Sequence, residues 1–163
     1  MGSRSTSTDA PQRVADALAA ALAAWPPGPL RVAYSGGLDS SVLLHALAAS
    51  ATARARGLAA IHVDHGIAAD SAAWAEHCRR VAADLGIDLA VRRVTVNRDT
   101  GLGLEAAARA ARHAVYAELL PAGGVLVTAH HQDDQAETVL MRLARGAGVD
   151  GLAAMRPLRR YAQ

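Results

Sequence analysis

Short apolar segments that are typical of buried strands alternate with helical segments along this chain, and this alternation restricts the fold more than any other feature. Strict alternation of strand and helix is typical of a parallel sheet covered by helices on both faces. We therefore predict an α/β protein with a Rossmann-like, doubly wound parallel sheet. Strands are predicted at residues 30–34, 58–63, 88–96 and 124–129, and helices at 11–24, 39–56, 71–85, 104–120 and 132–145.

The pattern divides the chain near residue 28. Residues 1–28 are predicted to form a polar arm and a helix, which ends at the proline-rich segment 25–29. Residues 29–163 form the predicted α/β domain, in which Asp70 is expected to cap the helix over 71–85. Because crossovers between parallel strands are right-handed, the carboxyl ends of all strands meet at one edge of the sheet, where ligands bind in such folds.

The composition excludes several classes of protein. Of the 163 residues, 52% are hydrophobic, which is too many for a chain that is disordered throughout. The net charge of +2 is too small to indicate a nucleic-acid partner, and all 17 basic residues are arginine, as coding bias in a GC-rich genome would also produce. A single cysteine, Cys78, excludes an intramolecular disulfide and a CxxC site.

No apolar run reaches membrane-spanning length and residues 14–24 make a poor signal peptide, so we expect a cytoplasmic protein without a membrane partner.

The loop after the first predicted strand carries the strongest chemical signal. It reads Ser35-Gly36-Gly37-Leu38-Asp39-Ser40-Ser41 and opens a predicted helix. Paired glycines let an anion approach the main chain, and the N–H groups at a helix N-terminus favour phosphate, while the three serines add hydroxyl donors. The loop is not a Walker A motif, because that motif needs a lysine and the chain contains none.

The pattern SGGxDS resembles the PP-loop of the N-type ATP pyrophosphatases, which cleave ATP between the α and β phosphates. The resemblance implies that residues 35–41 bind ATP. It also implies Mg²⁺ at Asp39, because a carboxylate beside a phosphate is unfavourable unless a cation lies between them. The alternative is that Asp39 caps the helix and that Ser-Gly-Gly forms a plain turn.

Two groups of polar residues follow other predicted strands. His62, Asp64 and His65 follow the second strand, and the segment His-His-Gln-Asp-Asp-Gln-Ala-Glu-Thr, residues 130–138, follows the fourth. Imidazole and carboxylate groups bind metals, so a two-metal phosphohydrolase is one alternative for this chain. Another is that these residues only line strand ends and cap helices.

Spacing relates three carboxylates within the second group. Asp133 and Asp134 lie four and three residues before Glu137, so on a helix each is its neighbour. Carboxylates that share a helix face repel one another and favour a cation between them. That cation is either Mg²⁺ or the amine of a substrate.

Three longer segments resemble the tRNA(Ile)-lysidine synthetase family. They are ADSAAWAEHCRR (69–80), GLEAAARAARHAVY (103–116) and TAHHQDDQAETVLMRLARGAGVDGLAAM (128–155). The resemblance covers residues 30–155 and implies an adenine nucleotide alpha hydrolase-like fold, with 29–163 as a PP-loop ATP-binding catalytic domain. The single Cys78 argues against the sulfur-inserting PP-loop enzymes, which generally need catalytic or cluster-binding cysteines.

The family's reaction, as the resemblance implies it, has two steps and uses ATP and Mg²⁺. The C2 oxygen of the wobble cytidine in tRNA(Ile) with a CAU anticodon attacks the α-phosphate and releases pyrophosphate. The amine of L-lysine then displaces AMP. A neighbouring carboxylate is a plausible acceptor for the amine's proton, and the sequence does not indicate which one.

The same resemblance implies roles for individual residues. The loop 35–41 holds the phosphates and Asp39 positions Mg²⁺, while Arg109 and Arg112 neutralise the activated phosphate or contact RNA, unless they are solvated charges on an exposed helix face. The remaining implied roles are adenine and ribose binding by His62, Asp64 and His65, lysine binding by Asp134 and Glu137, and lining of the catalytic pocket by His130 and Asp133. Trp74, His77 and Cys78 lie on a predicted helix that need not contact a ligand, and Cys78 is expected to be a small buried hydrophobe.

The match to the family is still running where the sequence stops, so we expect a fragment or a truncated gene product. Other PP-loop ATP pyrophosphatases, a metal-dependent phosphohydrolase and an ATP-binding module without turnover remain as alternative functions. No oligomeric state is predicted.

Overall fold

The computed structural model of this chain describes residues 9–66, 70–95 and 103–129. Contacts divide the chain into two compact units, Met1–Thr128 and Ala129–Gln163, and every helix and strand named below belongs to the first. The predicted helix at 132–145 lies outside the described residues. The elements are α1 (Asp9–Ala24), β1 (Leu30–Ala33), α2 (Leu38–Ala49), α3 (Ala51–Ala55), β2 (Ala59–Asp64), α4 (Ser71–Asp84), β3 (Asp88–Arg93), α5 (Leu104–Leu119) and β4 (Val125–Val127).

The four strands form one parallel sheet in the order β3-β2-β1-β4. The chain moves outward from β1 through β2 to β3 and then returns past β1 to place β4 on its other side. Right-handed crossovers therefore put α2 and α4 on one face of the sheet and α5 on the other. The prediction of a doubly wound α/β fold is confirmed, and its topological switch point lies between β1 and β4, directly at the carboxyl end of β1.

The core lies between the sheet and the helices α1, α2 and α4. Alternate residues of β1 point into it, since Leu30 and Val32 are fully buried and Tyr34 is 1% exposed. They pack in one cluster with Leu44 and Leu47 of α2. Because every second residue of this central strand is buried, Tyr34 holds the start of the following loop against the core.

Helix formation departs from the prediction at Ser50. A single helix was expected over 39–56, but Ser50 has extended backbone angles (φ −87°, ψ 116°) and separates α2 from α3. Its hydroxyl accepts a hydrogen bond from the N–H of Ala53 at 3.3 Å, so it caps the second helix. The prediction of one helix was wrong, because no glycine or proline marks the break and a serine can also lie within a helix.

The structure also bears on two predictions about helix caps. Asp70 occupies the N-cap position of α4 as expected, but its side chain makes no capping hydrogen bond. The N-cap of α2 is Gly37, so Asp39 lies inside the first turn and does not cap the helix. The alternative that explained Asp39 as a cap is therefore wrong.

Three arginines near the amino ends of the strands donate hydrogen bonds to main-chain carbonyls. The bonds run from Arg54 to Ala48 and Leu85 (2.6 and 2.7 Å), from Arg56 to Gly28 and Pro26 (3.0 and 2.5 Å), and from Arg31 to Gly57 (2.8 Å). Such carbonyls lack helical partners at the ends of α2 and α4, so the guanidinium groups satisfy them. These arginines support the fold at the edge of the sheet that lies opposite the carboxyl ends.

Replacing Arg54 by alanine should destabilise the chain, because the carbonyls of Ala48 and Leu85 lose a charged donor. We expect the free energy of unfolding to fall by about 1.5–3 kcal/mol, the usual range for hydrogen bonds to charged groups. Urea unfolding followed by circular dichroism measures the loss. Arg80→Ala, at an exposed position of α4, is the matched control, and an equal effect of the two substitutions would contradict the assigned role.

Candidate functional site

The loop that follows β1 begins at the topological switch point of the sheet. Its first glycine, Gly36, has φ +84°, a backbone conformation that other residues rarely adopt. Gly36 is buried, whereas Ser35, Gly37, Leu38 and Asp39 are exposed, and Leu38 is 80% exposed. The loop therefore rests on the protein at Gly36 and presents its other residues to solvent.

Hydrogen bonds between two serines hold the loop in shape. The Ser40 hydroxyl is buried and donates its single proton to the Gly37 carbonyl at 3.0 Å. Ser35 must therefore be the donor in the 3.0 Å contact between the two hydroxyl oxygens. The Gly37 N–H in turn donates to the Ser35 oxygen at 3.3 Å. Two of the three hydroxyls predicted to bind phosphate thus form the internal frame of the loop.

The third predicted hydroxyl, that of Ser41, lies 3.4 Å from the hydroxyl of Tyr34. Ser41 is partly buried in the first turn of α2, while Tyr34 is almost fully buried at the end of β1. This contact joins the helix that follows the loop to the strand that precedes it.

Helix α4 packs against the buried side of the loop, at Ser35 and Gly36. The indole Nε1 of Trp74 donates to the Ser35 carbonyl at 2.8 Å. A Cβ atom placed on Gly36 would lie 2.7 Å from the Sγ of Cys78 and 2.8 Å from that same Nε1. Only a residue without a side chain fits between the loop and α4. Burial raises the pKa of the Cys78 thiol to about 11, which agrees with the expectation of a small buried hydrophobe.

The end of β2 contributes His62 and Asp64, which are 4% and 8% exposed. The Nδ1 of His62 lies 2.9 Å from the Tyr34 carbonyl, which only accepts, so this nitrogen carries a proton and Nε2 is left to accept in the neutral ring. Asp64 accepts from the N–H of Gly66 at 2.8 Å and lies 3.9 Å from the Nε of Arg93. Both side chains are thus fixed where β2 ends.

His65 follows directly and is partly buried. Within the described ranges its Nδ1 is buried without a hydrogen-bonding partner. Burial is the main cause that lowers the pKa of this imidazole below its ordinary value, and the positive charge of Arg112 lowers it further. The ring is therefore neutral at neutral pH and can accept a hydrogen bond or donate one, according to its tautomer.

These residues surround a cavity of about 440 Å³ at the carboxyl edge of the sheet. It is lined by Tyr34, Ser35, His62, Val63, Asp64, His65, Asp70, Ser71, Trp74, Arg112 and Tyr116. Its volume lies in the range of small-molecule sites.

Five of the predicted site residues line this cavity, namely Ser35, His62, Asp64, His65 and Arg112. Arg109 is exposed on α5 and is not among the lining residues. His130, Asp133, Asp134 and Glu137 lie outside the described residues, so their place at the same edge stays a prediction.

Sequence reasoning missed Trp74 and Tyr116 as lining residues. Trp74 lies in the first turn of α4 and lines the cavity, although no part in a site was assigned to its helix from the sequence. A helix that follows a parallel strand begins at the carboxyl edge of the sheet, and this rule could have found Trp74. No comparable signal marks Tyr116.

The profile of the PP-loop domain family matches residues 11–163, and the chain belongs to this family. Among curated relatives, it is 62% identical over 140 residues to the tRNA(Ile)-lysidine synthase of Xanthomonas campestris pv. campestris (strain 8004). It is 59% identical over 128 residues to the tRNA(Ile)-lysidine synthase of Alkalilimnicola ehrlichii. These alignments cover 86% and 78% of this chain, which spans about a third of the relatives' own length (32% and 29%).

A solved structure shares the fold. The U34-tRNA thiolase NcsA from Methanococcus maripaludis, solved with its [4Fe-4S] cluster, superposes with a TM-score of 0.66 over 87% of this chain and 52% of its own. At 17% identity, the likeness shows a common fold alone. None of the five helices in the described ranges combines the length and the apolar character that crossing a bilayer requires.

A side chain at Gly36 should disturb the loop more than one at Gly57. Gly57 has φ +67° but open space around its Cβ position, so Gly57→Ala tests the backbone conformation alone and should cost about 1–2 kcal/mol. Gly36→Ala should cost about 1–3 kcal/mol more, because Cys78 and Trp74 must move. Urea unfolding of both variants checks the difference, and equal losses would show that α4 does not press on the loop.

The imidazole of His65 should titrate below pH 6.5, its ordinary pKa, in the folded protein. Between the two pKa values the unfolded chain binds more protons, so the stability contributed by this group falls as the pH drops below 6.5. Histidine NMR signals, assigned with His65→Gln, measure the midpoint in the folded and urea-unfolded chain. Arg112→Leu should reduce the shift without removing it, because burial is the larger cause. A folded midpoint at or above the unfolded one would contradict this account.

Proposed function

We propose that this chain is the ATP-binding catalytic part of a tRNA(Ile)-lysidine synthase, which joins L-lysine to C2 of the wobble cytidine of tRNA(Ile) in the cytoplasm. The observation that carries the proposal is the glycine loop at the switch point, which opens α2 beside a cavity of about 440 Å³. Identities of 53–62% to eight tRNA(Ile)-lysidine synthases support the choice of reaction.

The phosphates of ATP bind at the exposed side of the loop. The N-terminus of α2 offers main-chain N–H groups and a favourable dipole, and the chain has no lysine to serve instead. The base and ribose occupy the cavity, where His62, Asp64 and His65 supply polar contacts. Arg112 lines the same cavity and carries a positive charge that can offset charge on the phosphates.

In the first step, the C2 oxygen of the cytidine forms a bond to the α-phosphorus as the bond to the bridging oxygen breaks and pyrophosphate leaves. In the second step, the lysine amine attacks C2 and loses a proton to a base. AMP leaves and takes with it the oxygen that was bound to C2. Asp134 and Glu137 are the proposed carboxylates for lysine, His130 and Asp133 line the proposed pocket, and Arg109 stays a proposed contact to RNA or phosphate.

The loop also fits a magnesium ion. Asp39 is an exposed carboxylate in the first turn of α2, beside the proposed phosphate site. Magnesium is commonly bound by one or two carboxylates together with substrate phosphates and water, so a single protein ligand suffices. When bound, the ion would neutralise charge on the phosphates. The described residues contain no group of three or more side chains able to hold a metal by themselves.

The products separate the candidate functions. AMP and pyrophosphate that require both lysine and tRNA(Ile) with a CAU anticodon support lysidine synthesis. Release of phosphate from ATP without either substrate supports a phosphohydrolase, and turnover with another nucleophile supports a different PP-loop enzyme. Thermal stabilisation by ATP without any product indicates a binding module.

Substituting Asp39 by asparagine should weaken binding of Mg²⁺–ATP and leave metal-free ATP unaffected or tighter, since a negative charge beside the phosphates is removed. We expect about a tenfold loss for the magnesium complex, equal to roughly 1.4 kcal/mol. Calorimetric titration with and without EDTA measures both affinities. Asp88→Asn, at the exposed amino end of β3, is the matched control. Equal losses with and without magnesium would contradict a metal role for Asp39.

A further inference from the structure

We propose that Trp74 is a positioning residue for the phosphate loop and that its indole ring contacts the bound nucleotide. This inference rests on the proposed function, and it adds a residue that the loop motif does not contain. The juxtaposition that supports it is the indole Nε1 of Trp74 at 2.8 Å from the carbonyl of Ser35, the first residue of the loop.

The hydrogen bond from Trp74 orients the peptide that joins Ser35 to Gly36. In a trans peptide the C=O and N–H groups point in opposite directions. Because the Ser35 carbonyl points toward Trp74, the Gly36 N–H points away from α4. Within the described ranges, no protein acceptor is found for this N–H. The indole therefore holds a main-chain donor in the orientation in which an anion on the far side of the loop can receive its hydrogen bond.

Packing reinforces this orientation. The Cβ position of Gly36 lies only 2.8 Å from the indole nitrogen and 2.7 Å from the Sγ of Cys78. The loop cannot move toward α4 without a collision. It also cannot turn its first peptide over without losing the indole hydrogen bond. A donor array that is fixed before the ligand arrives loses less entropy on binding.

The ring of Trp74 is placed to contact the ligand. Trp74 is 48% exposed although most large apolar side chains of the structure are buried. It lines the same cavity as Ser35, His62 and Arg112. His77, one turn further along α4, supports it with a ring centroid 5.4 Å away. A nucleotide in the cavity would cover part of this exposed aromatic surface.

The chain contains two tryptophans, and this permits a clean test. Trp25 follows α1 and packs against the core at the amino end of β1, away from the cavity. In the Trp25→Phe chain, tryptophan fluorescence comes from Trp74 alone and should change when ATP is added. In the Trp74→Phe chain, the remaining Trp25 should not respond.

Affinity tests the positioning role. Trp74→Phe keeps an aromatic ring but removes the Nε1 donor, so ATP binding by calorimetry should weaken about 3- to 10-fold, the loss expected for one hydrogen bond. Trp74→Ala should weaken it further, and Trp25→Phe should leave it unchanged. Urea unfolding of each variant verifies that the fold persists, and a purely structural role would lower stability without an ATP-dependent signal from Trp74.

Two results would overturn the inference. One is ATP binding of unchanged affinity in Trp74→Phe together with a silent Trp74 in the Trp25→Phe chain, while the unaltered chain binds ATP; the proposed function would then stand. The other is the absence of ATP binding by the unaltered chain, which would overturn the proposed function as well.

Discussion

The contact on which the site depends is the close approach of α4 to the loop after β1. A helix can come this near to a strand-end loop only where a residue lacks a side chain, and Gly36 is that residue. Cys78 fills the space behind it as a neutral atom, because burial raises the pKa of its thiol to about 11. On the side that faces α4, the loop packs against the Cys78 sulfur and accepts a hydrogen bond from the Trp74 indole N–H. Its other side is exposed to solvent.

Charge is divided between the two edges of the sheet. At the amino edge, the guanidinium groups of Arg31, Arg54 and Arg56 are engaged by main-chain carbonyls and serve stability. At the carboxyl edge, Arg112 lines the cavity together with His62 and His65. Counting arginines therefore says little about phosphate or RNA binding in this chain, and position relative to the sheet says more. This distinction explains why a net charge of +2 is compatible with a polyanionic ligand.

The fold could be predicted because the relevant signals are local and periodic. Apolar runs and the helical segments between them predicted four parallel strands. The helix break at Ser50 was not predicted, because the sequence around it has a helical pattern. The glycine loop was also evident, because its position between a strand and a helix is encoded in consecutive residues. What could not be predicted were contacts between distant segments. The approach of Trp74 to Ser35 joins residues 39 positions apart, and no spacing rule encodes it.

The internal hydrogen bonds of the loop determine which groups remain for a phosphate. Ser40 is committed to the Gly37 carbonyl, Ser35 to Ser40, and Ser41 lies against Tyr34. With Ser35 and Ser40 bonded in this way and no lysine in the chain, the proposed recognition of a polyphosphate depends on main-chain N–H groups. Their directions are set by backbone conformation, so residues that hold the backbone matter as much as those that would touch the ligand. Trp74 belongs to α4 and orients the backbone of this loop through its hydrogen bond to Ser35. The packing of the fold thereby sets the direction of a main-chain donor in the proposed phosphate site.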